Sequence, residues 1–221
     1  MNQTLSRILS WIITLIVPFF LIITAVRLVF TPFSVPIVYR LPGFPPDQYG
    51  FSVEDRQHWA RVSLNYLLSN ADISYLAGQT LPDGQPLYNA RELKHMVDVK
   101  TLFQTSFRVW DVLLAMLAIG AIWAWRGRWF KAFLHGLGRG GILTIGLVVL
   151  VLVAVAVSFS SLFTVFHEIF FTGDSWLFLY TDSLIRLFPL PLWELAFVVV
   201  GVLTLIGSVV LIFLDRRYGR A

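Results

Sequence analysis

Residues 140–166 read GGILTIGLVVLVLVAVAVSFSSLFTVF, a run of 27 residues without a charged side chain. A helix needs about 20 apolar residues to cross the ~30 Å hydrocarbon core of a bilayer, so this run predicts a membrane span. Three further apolar stretches have the same character, and we place the four spans at about 8–30, 108–126, 140–166 and 193–214. The predicted fold class is all-α: a single polytopic membrane domain, 1–221, with four transmembrane helices and a helical extracytoplasmic cap.

The composition fits a membrane protein and excludes several kinds of chemistry. Of the 221 residues, 57% are hydrophobic and 14% are charged, against about 25% charged in an average soluble domain. With no cysteine, the chain cannot form a disulfide, a thiolate zinc site, an iron–sulfur cluster or a cysteine nucleophile. The phosphate-loop pattern GxxxxGK and the zinc-protease pattern HExxH do not occur, and we predict no cofactor and no nucleic-acid partner.

The basic residues follow the predicted topology instead of forming one patch. Arg7 precedes the first span, four cations lie in the loop after the second span and three follow the fourth span. These seven are Arg126, Arg128, Lys131, Arg139, Arg216, Arg217 and Arg220. Short loops rich in Lys and Arg stay in the cytoplasm. We therefore expect both termini and the inner loop 126–139 on the cytoplasmic side of the cell membrane, and segments 31–107 and 167–192 on the outer side. We expect the first span to remain as an uncleaved anchor.

The first outer segment contains two predicted helices. It begins with five prolines between Pro32 and Pro46, which argue against helix and favour extended chain and turns. Residues 54–68 then have the apolar spacing of a helix, and residues 81–86 (LPDGQP) predict a turn. Asn89 and Glu92 have the spacing of a capping box, so a second helix is expected to begin there.

The second of these helices carries the first candidate site. Its apolar residues form one stripe at about 100° per residue: Leu93, Met96, Val97 and Phe103. The opposite face carries Arg91, His95, Asp98 and Leu102. His95 can take up a proton near neutral pH, and Asp98, one turn on, is placed to orient the imidazole. The same pattern is also typical of a solvated helix face.

His167 is the second candidate, at the outer end of the third predicted span and directly before Glu168. Ionisable groups at such a boundary either reach toward the headgroups or line a polar cavity, and both interpretations stay open. Since imidazole and carboxylate both bind zinc, a metal site built from His95, Asp98, His167 and Glu168 is a further alternative.

The second outer segment has one cation and several aromatic residues. Arg186 is expected either to contact a lipid phosphate or to stabilise a developing oxyanion. Residues 173–176 predict a turn. The aromatic residues indicate an outer interfacial belt: Trp176, Phe178, Tyr180 and Trp193. His58 and His135 lack a convincing set of neighbours and are interpreted as solvated.

Three strings carry a family resemblance: YNARELKHMVDVKTLF at 88–103, FHEIFFTGDSWLF at 166–178 and LIRLFP at 184–189. They resemble the signature segments of the bacterial lipoprotein intramolecular transacylase (Lit) family of four-span membrane proteins. The resemblance implies an acyltransferase that moves an acyl chain from the sn-2 ester of a diacylglyceryl-cysteine lipoprotein to the α-amine of that cysteine. It also implies lipids and a diacylated lipoprotein as partners, and His95 and His167 as catalytic residues.

Four other residues are our own candidates for supporting roles: Arg91, Asp98, Glu168 and Arg186. Two alternatives to the transacylase remain at this point. One is a metal-dependent membrane hydrolase, and the other is a non-enzymatic scaffold or binding protein in which the histidines lie at the headgroup level.

Overall fold

The computed structural model describes residues 2–219, so Arg220, one of the cations used above for orientation, lies outside the described part. Within that part the chain is helical and has no strand, apart from an isolated bridge between Thr80 and Pro86. The helices are α1 (Gln3–Val29), α2 (Val35–Val38), α3 (Val53–Leu68), α4 (Ser74–Ala77), α5 (Ala90–Arg126), α6 (Phe130–Phe170), α7 (Ser183–Leu187) and α8 (Leu190–Leu214), followed by a π-helical turn, Asp215–Gly219.

Four of these helices, α1, α5, α6 and α8, are long and apolar enough to cross a membrane. This result confirms the predicted fold class and the four predicted spans. Two of the helices extend well beyond those spans, since α5 has 37 residues and α6 has 41. At about 1.5 Å per residue, α5 is about 56 Å long, which exceeds the ~30 Å hydrocarbon core. The predicted cap helix and the predicted second span are therefore one continuous helix.

The start of α5 is fixed by the capping box that the sequence predicts. The Glu92 backbone N–H donates to Asn89 Oδ1 at 3.0 Å, and the Asn89 backbone N–H donates to Glu92 Oε2 at 2.7 Å. These two reciprocal hydrogen bonds satisfy backbone donors that have no partner inside the helix. A second capping box, which was not predicted, joins Ser52 and Asp55 at the start of α3. The predicted helix at 54–68 is confirmed by α3.

The described residues form two compact units. The first unit comprises the chain up to Val29, Ser106–Ala156 and the chain from Phe197 onward, and the second comprises Phe30–Thr105 and Val157–Ala196. Helix α6 has one non-helical residue, Ser158 (φ −161°, ψ 93°). It lies two residues after Ala156, the last residue of the first unit's middle segment.

The first unit is packed through glycines of α6. A Cβ added at Gly136 would lie 2.7 Å from the Ser10 carbonyl oxygen, and one at Gly140 would lie 2.6 Å from Val17 Cβ. Small residues let helix backbones approach closely where lipid provides no hydrophobic driving force. The glycines at 136, 138 and 141 also have the GxGxxG spacing of dinucleotide-binding loops, but they lie inside a helix and serve helix packing.

One histidine of the first unit has a partner that the sequence did not indicate. His135, interpreted as solvated, has 46% of its side chain exposed, and its Nδ1 lies 2.6 Å from Asp215 Oδ1. The partner follows α8, 80 residues further along the chain, so no local pattern pointed to it. His58, the other histidine interpreted as solvated, is exposed on α3.

The second unit has a core of aromatic and aliphatic side chains with polar groups bonded inside it. The hydroxyls of Ser63 and Tyr88 lie 2.7 Å apart, and Tyr39 donates its phenolic hydrogen to the Leu187 carbonyl oxygen. Burial raises the pKa of Tyr39 well above its ordinary value, against the opposing charge of Arg56, so the phenol keeps that hydrogen. These bonds join segments that are far apart in the sequence.

The proline-rich stretch differs from the prediction. We expected no helix between Pro32 and Pro46, yet Val35–Val38 is a short helix with Pro36 in its first turn. Proline is tolerated there because the first turn of a helix has no backbone acceptor for that N–H. The predicted turn at 81–86 is confirmed: the Gly84 N–H donates to the Leu81 carbonyl oxygen at 2.9 Å.

Candidate active site

His95 and His167, predicted from two distant motifs, lie side by side in the second unit. Their ring centroids are 5.8 Å apart and the ring planes differ by 23°. His95 stands in the second turn of α5 and His167 in the last turn of α6. Both residues are buried, with 6% and 8% of their surface exposed. The expectation of a solvated helix face for His95 is therefore wrong, and we call the two imidazoles the histidine pair.

The tautomer of His167 follows from one hydrogen bond. Its Nδ1 lies 2.7 Å from the Phe163 carbonyl oxygen, one turn earlier on α6. A carbonyl oxygen only accepts, so Nδ1 must carry the hydrogen, and in the neutral ring Nε2 keeps its lone pair. His167 is thereby set up to accept a proton at Nε2.

His95 has no such orienting bond. Its Nδ1 is buried without a hydrogen-bond partner among the described residues. Asp98, predicted to orient the ring, instead accepts a hydrogen bond from Ser175 at 3.4 Å. The ring is held by packing, with the edges of Phe171 and Phe178 at centroid distances of 4.9 and 5.3 Å.

Five aromatic rings contact the histidine pair, and we call them the aromatic box: Phe163, Phe166, Phe171, Trp176 and Phe178. The rings of Phe163 and Trp176 lie 4.1 and 5.1 Å from that of His167. The rings of Trp176 and Phe178, predicted for an interfacial belt, pack on the imidazoles. The aromatic run directly after His167 is the only signal in the sequence for such a box.

Residues 171–182, the segment that carries Trp176 and Phe178, are attached to the first turns of α5, and we call them the strap. The Ser175 hydroxyl donates to Asp98 Oδ2 at 3.4 Å, and Arg91 Nη1 donates to the Leu177 carbonyl oxygen at 2.9 Å. At the end of the strap, Asn89 Nδ2 donates to Asp182 Oδ1 at 3.0 Å. Two predicted supporting residues, Arg91 and Asp98, thus hold the strap.

Glu92, absent from the predicted site, ties the start of α5 to α7. It is 1% exposed, and its Oε1 accepts the backbone N–H of Leu184 at 2.6 Å. Its other oxygen accepts the Asn89 N–H, so one carboxylate fixes two chain segments next to His95. The sequence shows the capping role but not the second partner, which is 92 residues away.

Arg186 is engaged in an ion pair and contacts no open site. Its Nε and Nη2 donate to the two carboxylate oxygens of Asp47 at 3.1 and 2.9 Å, and its guanidinium lies 3.7 Å from the centroid of Phe51. The side chains of Arg186 and Asp47 are 11% and 3% exposed. Burial alone would raise the pKa of Asp47, but the hydrogen bonds from Arg186 and from two backbone N–H groups lower it below its ordinary value. Arg186 is therefore not a free cation that could bind a phosphate or an oxyanion.

The metal alternative has no matching geometry. Glu168 is exposed, and Asp98 faces Ser175. In residues 2–219, no three His, Cys, Asp or Glu side chains lie together in an arrangement that could hold a metal ion.

Comparison with known proteins identifies the family of this chain. Residues 11–193 match the family model of the lipoprotein intramolecular transacylase Lit. An uncharacterized protein of Aquifex aeolicus (strain VF5) is 25% identical over 216 residues, which cover 95% of this chain and 94% of that protein.

The solved structures show the same fold. Lit from Bacillus cereus superposes with a TM-score of 0.76 at 20% identity, covering 98% of this chain and 96% of that one. A Bacillus cereus Lit variant with a histidine replaced by alanine gives a TM-score of 0.71 at 20% identity, covering 97% and 93%. The family match at 11–193 includes both histidines of the pair and the whole strap. The chain is a multi-pass membrane protein that belongs to the lipoprotein intramolecular transacylase Lit family of acyltransferases.

Proposed function

We propose that this protein moves the sn-2 acyl chain of a diacylglyceryl-cysteine lipoprotein to the α-amine of the same cysteine, which gives a lyso-form lipoprotein. The observation that carries the proposal is the histidine pair itself. Two imidazoles from separate motifs lie 5.8 Å apart inside an aromatic box, in a chain of the Lit family. The non-enzymatic scaffold gives no reason for such a buried pair.

The first step needs a base. An α-amine has a reference pKa of about 7.7–8.0, so much of it is protonated at neutral pH and cannot attack an ester. Nε2 of His167 has its lone pair available because Nδ1 donates to Phe163. We assign His167 to remove the proton as the amine nitrogen bonds to the ester carbonyl carbon.

The second step needs an acid. When the tetrahedral intermediate collapses, the bond to the glycerol oxygen breaks and that oxygen must receive a proton. The imidazolium of His167, or His95 beside it, supplies the proton, since both rings are close enough to contact one ester group. The neutral amine loses one proton on becoming an amide and the glycerol oxygen gains one, while a substrate that binds with a protonated amine first releases one further proton to solvent. The reaction consumes no water and no other reactant.

The intramolecular nature of the reaction reduces what the protein must do. Amine and ester belong to the same substrate, and well-oriented intramolecular reactions reach effective molarities of about 10⁵ M or more. The protein therefore needs to hold the substrate in one conformation and to move a proton. The nucleophile comes from the substrate, which agrees with a site that centres on two imidazoles.

We further propose that the protein lies in the bacterial cytoplasmic membrane with both termini in the cytoplasm and the histidine pair on the outer side. The support comes from the cations near the chain ends and in the 126–139 loop, which favour the cytoplasmic side. The histidine pair lies at the ends of α5 and α6 away from that loop.

The test uses the full chain in proteoliposomes with a synthetic diacylated lipopeptide. Fragmentation by mass spectrometry locates the acyl chains, and we expect one chain to move from the glyceryl ester to the cysteine nitrogen. His95→Ala and His167→Ala should each remove this product, whereas His58→Ala, a change at an exposed histidine of the same unit, should not. Unchanged acyl positions with the wild-type protein would contradict the proposed function.

A further inference from the structure

The proposed reaction needs a group that stabilises negative charge on the carbonyl oxygen. As the amine attacks, the π electrons of the ester carbonyl move onto its oxygen, and a fixed donor at that position accelerates the step. Arg186, expected for this role, is bound to both oxygens of Asp47. Another donor near the histidine pair can take this role.

Trp176 has an unused donor on a ring that packs against His167. Its indole ring lies 5.1 Å from the ring of His167, and its Nε1 is buried with no hydrogen-bond partner among the described residues. A buried N–H that has given up its bond to water without a replacement is uncommon in folded proteins and calls for an explanation. A partner that arrives with the substrate is such an explanation.

The neighbours of Trp176 keep its position fixed. Ser175 is buried and donates to Asp98, while the carbonyl of Leu177 accepts from Arg91, so α5 holds the residue on each side of the indole. A donor acts best when it is already in position before charge develops, because no reorganisation is then needed during the reaction. The strap contacts provide that rigidity and give Asp98 and Arg91 positioning roles.

We propose that Trp176 is a catalytic residue whose Nε1–H donates a hydrogen bond to the carbonyl oxygen of the transferred acyl group. This inference rests on the proposed function. The bond strengthens as the oxygen gains charge during attack, and it weakens when the electrons return and the bond to the glycerol oxygen breaks. The indole keeps its hydrogen throughout, so the proton transfer remains with the histidine pair.

The chain contains a matched control for this idea. Trp129 Nε1 is also buried without a hydrogen-bond partner among the described residues, but Trp129 belongs to the first unit, which does not contain the histidine pair. Its ring packs against Trp123 and Phe133. Removal of the indole N–H at Trp129 is the same chemical change as at Trp176, but it is made outside the unit that contains the histidine pair.

The experiment removes one hydrogen-bond donor while the ring shape is preserved. Trp176 is replaced by β-(3-benzothienyl)alanine, in which sulfur takes the place of the indole N–H, and the same replacement is made at Trp129. We expect kcat for N-acyl product to fall by about 10²–10³-fold at Trp176, the usual effect of losing one oxyanion donor, with KM within about twofold. The Trp129 protein should keep the wild-type kcat.

A second variant, Trp176→Phe, should show a similar fall in kcat, and thermal unfolding of each variant verifies the fold. A Trp176 replacement that keeps kcat within about twofold of wild type, or that changes only KM, would overturn the inference while the proposed function stands. Absence of N-acyl product with the wild-type and Trp129 proteins would instead overturn the proposed function.

Discussion

The two units bury different kinds of polar residues: hydroxyl residues in the first unit, and hydroxyl together with ionisable residues in the second. In the spans of the first unit, Thr144 and Ser208 donate their hydroxyl hydrogens to carbonyl oxygens four residues earlier on the same helix. In the second unit, Asp47 binds Arg186 and Glu92 binds the Leu184 N–H, over 139 and 92 residues of sequence. Long-range bonds occur in the first unit too, for instance from the Ser10 hydroxyl to the Ala132 carbonyl oxygen. In the second unit they are made by buried charged groups, and the position of the histidine pair depends on the segments that these groups join.

The largest effect is expected where a distant contact of the second unit is broken. Asp47→Asn leaves the Arg186 guanidinium buried without its counter-ion, which costs about 3–5 kcal/mol in the free energy of unfolding. The control is Asp111→Asn in the first unit, where Asp111 and its partner Arg27 are 65% and 36% exposed. An exposed pair contributes about 0–1 kcal/mol. Chemical denaturation in detergent compares the two, and equal effects would contradict the contrast between the units.

The pH dependence of the unfolding midpoint tests the role of the buried charge in the second unit. The pKa of Asp47 lies below its ordinary value of 3.8 in the folded protein, so its carboxylate contributes stability above that pH and loses it as the pH falls through the folded pKa. We expect the difference in unfolding midpoint between the wild type and Asp47→Asn to be constant near neutral pH. It should shrink when the pH is lowered below 3.8. A difference that stays the same at low pH would show that the carboxylate charge is not what stabilises this unit.

A smaller loss is expected where the first unit is packed through backbone contact. In Gly140→Ala the new methyl group would lie 2.6 Å from Val17 Cβ, and overpacking of this kind costs about 1–3 kcal/mol. Gly146→Ala on the same helix meets no atom within 4 Å and should be neutral or slightly stabilising. Unfolding in detergent measures both free energies. If Gly140→Ala is as stable as Gly146→Ala, close helix contact at residue 140 is not needed.

The smallest predicted change is in the ratio of the two reaction products, free fatty acid and N-acyl product. Phe178→Ala opens the aromatic box beside His95 and admits water, which competes with the amine for the ester. We expect free fatty acid to appear, with its ratio to N-acyl product raised by roughly tenfold, a change of about 1.4 kcal/mol. Tyr180→Ala, at a residue of the strap that is 79% exposed, should leave the ratio unchanged. Mass spectrometry of the products in ¹⁸O-labelled water distinguishes the two reactions.

Local patterns in the sequence predict much of the fold. The four spans, the capping box at Asn89 and the turn at 81–86 all depend on residues within one helix or one turn. Their physical causes, hydrophobic length and local hydrogen bonding, act over a few residues and are visible in a single sequence. The short helix at Val35–Val38 is the exception, because proline inside the first turn does not prevent a helix.

The site is predictable only in part, because its geometry is made by distant contacts. The family motifs name His95 and His167, and the structure brings the rings together. No local pattern shows that Arg186 pairs with Asp47, that Asp98 faces Ser175, or that Trp176 packs against His167. Each of these contacts joins segments that are brought together only by the folded second unit.

The continuity of α5 couples the chemistry to the thickness of the bilayer. His95 and the predicted second span belong to one unbroken helix of 37 residues. A helix adapts to a thinner or thicker hydrocarbon layer by tilting, since its length cannot change. Lipids of different chain length would therefore tilt the helix that carries a reacting group, and the membrane itself becomes a variable of the reaction rate.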